Sequence, residues 1–347
     1  MVASPTPRVT IARIAEDAGV SLPTVSKVLN GRADVSAETR ARVEATIRRH
    51  GYRRRKPKQP QSVPMIDLVF HEIESPWAVE LIRGVEGEAS RHRTEVIISE
   101  CGGTRRPRRA WIESVIARKP LGVVIVFSDL DADQRAQLAA RNIPCVVVDP
   151  IGECAETGPS VGSAHFLGGR LAAQHLIVLG HTRIGVISGP METLAARMRL
   201  AGFRDALAEA GLALPDAYVR HGTFKIEAGE THGSELLALR ERPTAIFASS
   251  DLQAMGVYRA AHALGLAVPG DVSVVGYDDL PIAEWVFPPL TTVHQPLREM
   301  AEAATRLVLQ LSRGEQAPAP SLELAVRFVQ RASTAPPAEP TAGTPVP

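Results

Sequence analysis

After residue 61 the chain repeats one pattern, a short apolar run followed by an amphipathic segment of helical length. The runs are Ile66–Phe70, Glu95–Ser99, Gly122–Phe127 and Cys145–Asp149, then Arg183–Ser188, Ala245–Ser249 and Val272–Tyr277. Between them lie Trp77–Arg91, Pro107–Arg118, Ala132–Arg141, Ala164–Leu179, Thr193–Ala210 and Leu252–Leu264. Short apolar runs suit strands buried on both faces, and strands alternating with helices imply parallel sheets covered by helices on both sides. A break near Gly152–Gly162 predicts two such sheets in succession. Ligands of parallel sheets bind beyond the carboxyl ends of the strands. That points to His71–Trp77, Ser128–Asp129, Asp149, Ser249–Asp251 and Asp278–Asp279. Carboxylates and a ring or two in a cleft between two lobes suit a polyhydroxylated ligand, whose hydroxyls both donate and accept.

Ahead of this body, residues 10–31 read TIARIAEDAGVSLPTVSKVLNG. Ile11, Ile14, Ala15 and Ala18 fall at helical spacing, and Gly19 stands where a first helix must stop. Ser21 is a good N-cap for a second helix, Pro23 falls in its first turn, and Val25, Val28 and Leu29 form its apolar face. A third helix is predicted over Ala37–His50 behind a Ser36 cap. Two short helices around a Gly-containing turn form either an ordinary helical hairpin or a helix-turn-helix that lays its second helix in DNA.

Charge separates these readings. Residues 1–58 hold 13 Lys and Arg against five acids, a net +8. From chain totals of 39 bases and 38 acids, this leaves 26 against 33, or −7, for the rest. Such asymmetry is the footprint of a small module for a polyanion. A basic, Pro-containing linker, Arg53–Gln61, joins the two parts.

At 347 residues the chain exceeds one domain. It has no run near the ~18 apolar residues of a membrane span and no secretory h-region. Its three cysteines, Cys101, Cys145 and Cys154, are odd in number and lack metal-ligand spacing, so reduced thiols in a cytoplasmic protein are expected. Motifs for acyl transfer, nucleotide binding and zinc hydrolysis are absent. Cys101-Gly102-Gly103 reads as a turn rather than a phosphate loop, and Asp278-Asp279 has no third metal ligand nearby in sequence. No catalytic residue, metal or cofactor is expected. A solute-binding protein for a transporter and a sugar-acting enzyme are the other readings. The missing signal peptide and basic headpiece oppose the first, and the missing motifs oppose the second.

The ordered motifs resemble one family closely. VTIARIAEDAGVSLPTVSKVLNG…VSAETRARVEATIRRHGY is similar to the N-terminus of the lactose/galactose-repressor (LacI-type) bacterial transcription regulators. The body repeats that family's landmarks in order: SPWAVELIRGVE, GVVIV, HLIVLGHTRIGVISG, ARMRLAGF, FASSDLQAMGV, DVSVVGYDDLP and PPLTTVHQP. The resemblance covers about residues 8–334. It implies a small all-α helix-turn-helix headpiece over 8–52 and a linker or hinge over 53–63. A two-lobed α/β periplasmic-binding-protein-like body of parallel sheets follows over 64–334. Lobe one would take about 64–162 with 293–320, lobe two about 163–292 with 321–334, and a disordered Pro-rich tail 335–347. It further implies a homodimer on pseudo-palindromic operator DNA, repression relieved by a sugar or oligosaccharide effector, and no membrane partner.

Carried over residue by residue, the resemblance gives Leu22 and Pro23 the base-reading positions, where neither side chain can form a bidentate hydrogen bond. Lys27 takes a position usually held by Arg or Lys and is the candidate guanine contact. Thr10, Ser21, Thr24, Ser26, Asn30, Arg32 and Tyr52 complete the DNA-binding set with Arg53, Arg54 and Arg55 of the linker. The family's hinge helix and leucine wedge are not reproduced here. Pro57 and Pro60 disfavour a helix, and arginines entering the minor groove or tracking phosphate replace the wedge. For the effector, Arg199 matches a ligand-clamping arginine, Asp278 a sugar-binding aspartate, and Ser250 a position often held by Asn, beside Asp251. Trp77 and Phe224 are candidate stacking rings, Gln295 lies on a crossover strand, and His71 and Ser128 follow strands. The tail has no leucine heptads to build a tetramer.

Overall fold

The computed structural model describes residues 10–29, 32, 34–52, 63–102, 106–152 and 158–338. The expected contacts Asn30, Arg53, Arg54 and Arg55, and Cys154, lie outside the described residues. The chain divides into two compact units, residues 1–62 and 63–347.

In the first unit, α1 (Ile11–Asp17), α2 (Leu22–Leu29) and α3 (Ala37–Arg49) bury Ile14, Ala15, Ala18, Val25, Val28 and Val43 in a common core. The helix boundaries follow local chemistry. Thr10 caps α1 by accepting from Arg13 N, and Ser36 caps α3 by accepting from Thr39 N. Between α1 and α2, Gly19 takes φ +63°, and Ser21 Oγ accepts from Thr24 N at 3.4 Å.

The second unit contains two six-stranded sheets. In the first, strands β1 (Met65–Phe70), β2 (Glu95–Glu100), β3 (Gly122–Val126), β4 (Cys145–Val148), β5 (Ser160–Ser163) and β11 (Ser321–Leu324) lie in the order β11-β5-β4-β3-β1-β2, all parallel. Helices α4 (Pro76–Arg91) and α12 (Leu297–Ser312) cover one face, with Leu81, Val85, Met300 and Val308 in its core. Helices α5 (Arg109–Arg118) and α6 (Ala132–Ala139) cover the other through Ile112, Val115 and Leu138.

The second sheet holds β6 (Ile184–Ser188), β7 (Val219–His221), β8 (Ala245–Ala248), β9 (Ser273–Asp278), β10 (Thr291–His294) and β12 (Arg327–Val329) in the order β12-β10-β9-β8-β6-β7. It is parallel except for β12, which runs antiparallel to β10. Helices α7 (His165–Val178) and α8 (Leu194–Glu209) pack on one face, and α9 (Ile226–Leu237) and α10 (Asp251–Ala263) on the other. A short helix, α11 (Ile282–Trp285), follows β9. Helices α7 and α8 approach closely because each carries a glycine at the contact. A Cβ on Gly169 would lie 2.0 Å from Arg199 O, and one on Gly202 would lie 1.9 Å from Phe166 O.

The chain changes lobe three times among the described residues, between β5 and α7, between β10 and α12, and between β11 and β12. This moves two expected boundaries. Thr291–His294 belongs wholly to the second sheet, paired with Thr291 opposite Val275, so the first lobe's last segment begins at the turn after it and not at 293. Ser321–Leu324 pairs with Ser160–Ser163 and returns to the first sheet rather than joining the second lobe. Composition could not reveal this, because Thr291–His294 and Ser321–Leu324 mix polar with apolar residues and pairing alone assigns them. The expected tail also starts too early. Ala335 O accepts from His181 Nε2 at 2.9 Å and from Ser273 Oγ at 3.0 Å, tying that residue to the second lobe. No helix among the described residues is long and apolar enough to cross a membrane.

Candidate binding sites

On the headpiece, Leu22, Pro23, Ser26 and Lys27 of α2 are exposed, while Val25 and Val28 turn inward. Leu22 is 51% exposed, large for an isolated leucine and free to meet an apolar group such as a thymine methyl. Lys27 Nζ lies 2.8 Å from Asp34 Oδ2. Hydrogen bonding to Lys27 holds the Asp34 carboxyl below its ordinary value. Thr10 and Ser21 have their hydroxyls on helix starts, and Ser21 Oγ also lies 2.9 Å from Thr24 Oγ1. Arg32 is exposed, and its carbonyl accepts from Arg40. Tyr52 is half-buried against the three-helix core.

In the body, the carboxyl ends of the two sheets enclose a cleft of about 950 Å³ counted together with its open mouth. Of the expected effector residues, His71, Trp77, Arg199, Phe224, Ser250 and Asp278 line it together. Its floor is a buried polar network around Arg199, which is 3% exposed. The guanidinium donates to Ser249 O at 2.6 Å, Gln295 Oε1 at 3.1 Å and His165 Nδ1 at 3.3 Å, with Asp278 Oδ1 at 3.5 Å. It lies 3.7 Å from the centre of the Tyr277 ring, whose face stabilises the cation. Asp149, from the end of β4, meets His165 Nε2 at 2.6 Å.

The two carboxyl groups of the cleft floor, Asp149 and Asp278, titrate apart. Burial pushes Asp278 up to about 7, with Arg199 opposing and Asp149 adding to the rise. Burial also acts to raise Asp149, but His165 and Arg199 outweigh it and hold that carboxyl below its ordinary value. One group is thus a fixed acceptor, and the other can donate or accept near neutral pH.

The aromatic wall joins the lobes. Trp77 and Phe127 of the first lobe meet edge-to-face at 6.1 Å, and Phe127 meets Phe224 of the second at 6.2 Å. Gly189 makes room for this contact, since a Cβ there would lie 2.1 Å from Phe224 Cζ. Phe127, Asp149 and Asp278 all adopt positive φ, at 48°, 54° and 112°, just where their strands end. Three sparsely populated conformations gathered at one cleft aim side chains that ordinary strand continuation would carry elsewhere. At the mouth, Lys225 Nζ of the second lobe lies 2.6 Å from Glu72 Oε1 of the first.

Three expected contacts do not line the cleft. Asp251 is fully buried and accepts from Leu280 N at 2.7 Å and Thr292 Oγ1 at 2.6 Å, so it pins the loop that presents Asp278. Burial, then the Asp278 charge, push its carboxyl well above the ordinary value. Gln295 is 1% exposed and supports Arg199 from behind. Ser128 is 1% exposed, behind the wall that Phe127 forms. Conversely, Phe127, His165 and Lys225 were not among the expected positions, and Asp149 and Glu72 were pointed to only by the rule that ligands lie beyond strand ends. Asp149 had a signal, a carboxylate ending an apolar run, but Phe127 reads as the last residue of a buried strand. Nothing in spacing marks His165, which reaches Asp149 only because α7 starts at a lobe crossing. Among the described residues no group of three or more His, Cys, Asp or Glu is placed to hold a metal ion.

Comparison with known proteins agrees with this arrangement. Residues 10–55 match the family described as bacterial regulatory proteins, lacI family, and residues 173–334 match a periplasmic binding protein-like domain. The HTH-type transcriptional repressor PurR of Klebsiella pneumoniae (strain 342) is 33% identical over 333 residues, covering 94% of this chain and 97% of that protein. Among solved structures, the complex of the transcriptional regulator CelR with cellobiose is similar with TM-score 0.71 and 32% identity, covering 94% of this chain and all of that one. The lac repressor dimer bound to operator and the anti-inducer ONPF is similar with TM-score 0.69 and 29% identity, over 95% of this chain. With a three-helix headpiece, two mostly parallel-sheet lobes and 33% identity to a named repressor over 97% of its length, the chain belongs to the lacI family of bacterial regulatory proteins.

Proposed function

We propose that this regulator is a cytoplasmic homodimeric repressor whose DNA affinity is relieved by a sugar or oligosaccharide bound in the interlobe cleft. The observation that carries the reading is the cleft itself, where Arg199, Asp278 and Asp149 form a polar floor beside the ring wall of Trp77, Phe127 and Phe224. A polyol suits both surfaces, because its hydroxyls exchange hydrogen bonds with the floor while its C–H faces pack on the rings. The similar CelR chain was solved with cellobiose, which supports the same ligand class here. Lac repressor was solved as a dimer on operator, which supports a two-fold dimer on a pseudo-palindromic site, each headpiece presenting α2 to a major groove. Leu22 and Pro23 would read their half-site by apolar contact and shape, and Lys27 by a hydrogen bond to a base.

A ligand shifts this equilibrium only through different affinity for the DNA-competent and released states. The cleft offers that difference, since contacts between the lobes change whenever they open or close. Thermal shift of the full-length protein against mono- and oligosaccharides tests the assignment, with nucleosides as the opposing class. A sugar that raises the melting temperature and lowers operator affinity supports it. Stabilisation by nucleosides alone refutes the sugar effector, and tighter operator binding with sugar refutes relief of repression.

A further inference from the structure

Every carboxylate, guanidinium and ammonium on the cleft wall is already matched inside the protein. Arg199 is held by Ser249 O, Gln295, His165 and Asp278, and Asp149 is held by His165. Lys225 is engaged with Glu72 across the lobes at 2.6 Å, with the charges of Glu74 and Glu227 also near it. Two of the helix starts at the cleft, which would otherwise attract an anion, are occupied too, and another, α9 after Lys225, has no side-chain cap but carries Glu227 in its first turn. Ser75 Oγ accepts from Trp77 N at the head of α4, and Ser250 Oγ accepts from Gln253 N at the head of α10, whose first residue is itself Asp251. The wall carries two carboxylates, Glu72 and Asp149, and the Asp278 carboxyl, which ionises near neutral pH, against two strong cations, Arg199 and Lys225. An anionic substituent entering here would lose its water, find no unmatched guanidinium or ammonium among the described lining residues and face those carboxylates. A cationic one would likewise meet only carboxylates that already have partners.

We infer that the effector is an uncharged molecule, a neutral mono- or oligosaccharide rather than a sugar phosphate, uronate or amino sugar, and that the Glu72–Lys225 pair enforces this exclusion at the mouth. The inference deepens the sugar reading, but its charge argument is independent of ligand class. Glu72 thereby acts as a specificity residue, by occupying the exposed Lys225 ammonium on the wall.

Calorimetry on the full-length protein decides it. Glucose, galactose, mannose and cellobiose are compared with glucose 6-phosphate, mannose 6-phosphate, glucuronate, galacturonate and glucosamine. An uncharged sugar is expected to bind, and its charged counterparts to bind at least about tenfold more weakly. Glu72→Gln releases Lys225. It should improve binding of the phosphate or uronate by about threefold to fivefold, the scale of an exposed ion pair, and change the neutral parent by less. A charged counterpart that binds the native protein as tightly as its neutral parent overturns the inference and leaves the sugar reading intact. So does a Glu72→Gln variant with unchanged discrimination. Binding of adenosine or guanosine in place of any sugar overturns the sugar reading alone. The same comparison with adenosine and guanosine 5′-monophosphates then decides the charge argument, weaker binding of the nucleotides supporting it and equal binding refuting it.

Discussion

Replacing Asp278 by Asn tests whether the floor of the cleft holds a carboxyl that resists ionisation. The folded protein raises Asp278 from 3.8 to about 7 because the group is buried, beside the Asp149 charge. Between those values the native protein keeps a proton that the unfolded chain has released. Stability therefore falls as pH rises toward 7 and levels off above it. At about 1.4 kcal/mol per pH unit, this one group removes roughly 2–3 kcal/mol of stability between pH 5 and pH 8. Asparagine is nearly isosteric, keeps an oxygen for Arg199, tolerates φ +112° as aspartate does, and does not titrate. The experiment is urea unfolding of native protein and Asp278→Asn at pH 5 and pH 8, following the transition of the body. The difference between the two proteins should shift by roughly 2–3 kcal/mol in favour of the variant from the lower to the higher pH. Groups that do not sense the Asp278 charge cancel in that comparison, while Asp251 loses that charge and shifts downward in the variant. A difference that stays constant within about 0.5 kcal/mol would refute the raised carboxyl, and with it the picture of one donor and one acceptor on the cleft floor.

Four further perturbations address the cleft, the headpiece and the packing of the second lobe. Arg199→Ala should abolish the effector response while leaving operator binding in place. It should also cost the body about 3–5 kcal/mol, because Asp278 and Gln295 lose a buried partner; retained induction in operator-release assays would move the site elsewhere. Lys27→Ala should weaken operator binding by about 1–3 kcal/mol and blunt preference at one base pair per half-site, and equal loss on random DNA would make Lys27 a phosphate contact only. Asp34→Ala frees the same lysine and should strengthen binding by up to about fivefold in a salt titration, whereas weaker binding would show that Asp34 positions Lys27 for DNA. Gly202→Ala should lower stability by about 1–3 kcal/mol or more, since its new methyl would sit 1.9 Å from Phe166 O between α7 and α8; an unchanged melting temperature would contradict that close approach.

Much of the architecture was legible because it depends on local patterns. The Ser36 cap, Gly19 at a positive φ and the inward Val25 and Val28 follow from capping, backbone freedom and helical periodicity, which need no partner elsewhere in the chain. The short, continuous apolar runs announced the central strands in the same way. Val219–His221, Ser321–Leu324 and Arg327–Val329 carried no such signal, because their composition is mixed and neighbouring strands make them strands.

The cleft divides along the same line. Arg199, Asp278, Trp77 and Phe224 were nameable from motifs and from the rule that ligands lie beyond strand ends, and the structure brings them to one cavity. Their partners were not nameable. Asp149 and His165 stand on opposite sides of a lobe crossing, and Glu72 and Lys225 are 153 residues apart, so only the folded arrangement pairs them. Asp251 shows the converse. Its position beside Ser250 suggested a ligand contact, yet burial and two short hydrogen bonds turn it to holding the loop under Asp278. Sequence by itself determined the family, the two-part organisation and the side chains that carry chemistry, because local periodicity and residue type are written along the chain. Tertiary structure alone decided which of those groups face the ligand and which charges are already matched, because that depends on distances between segments far apart in the chain.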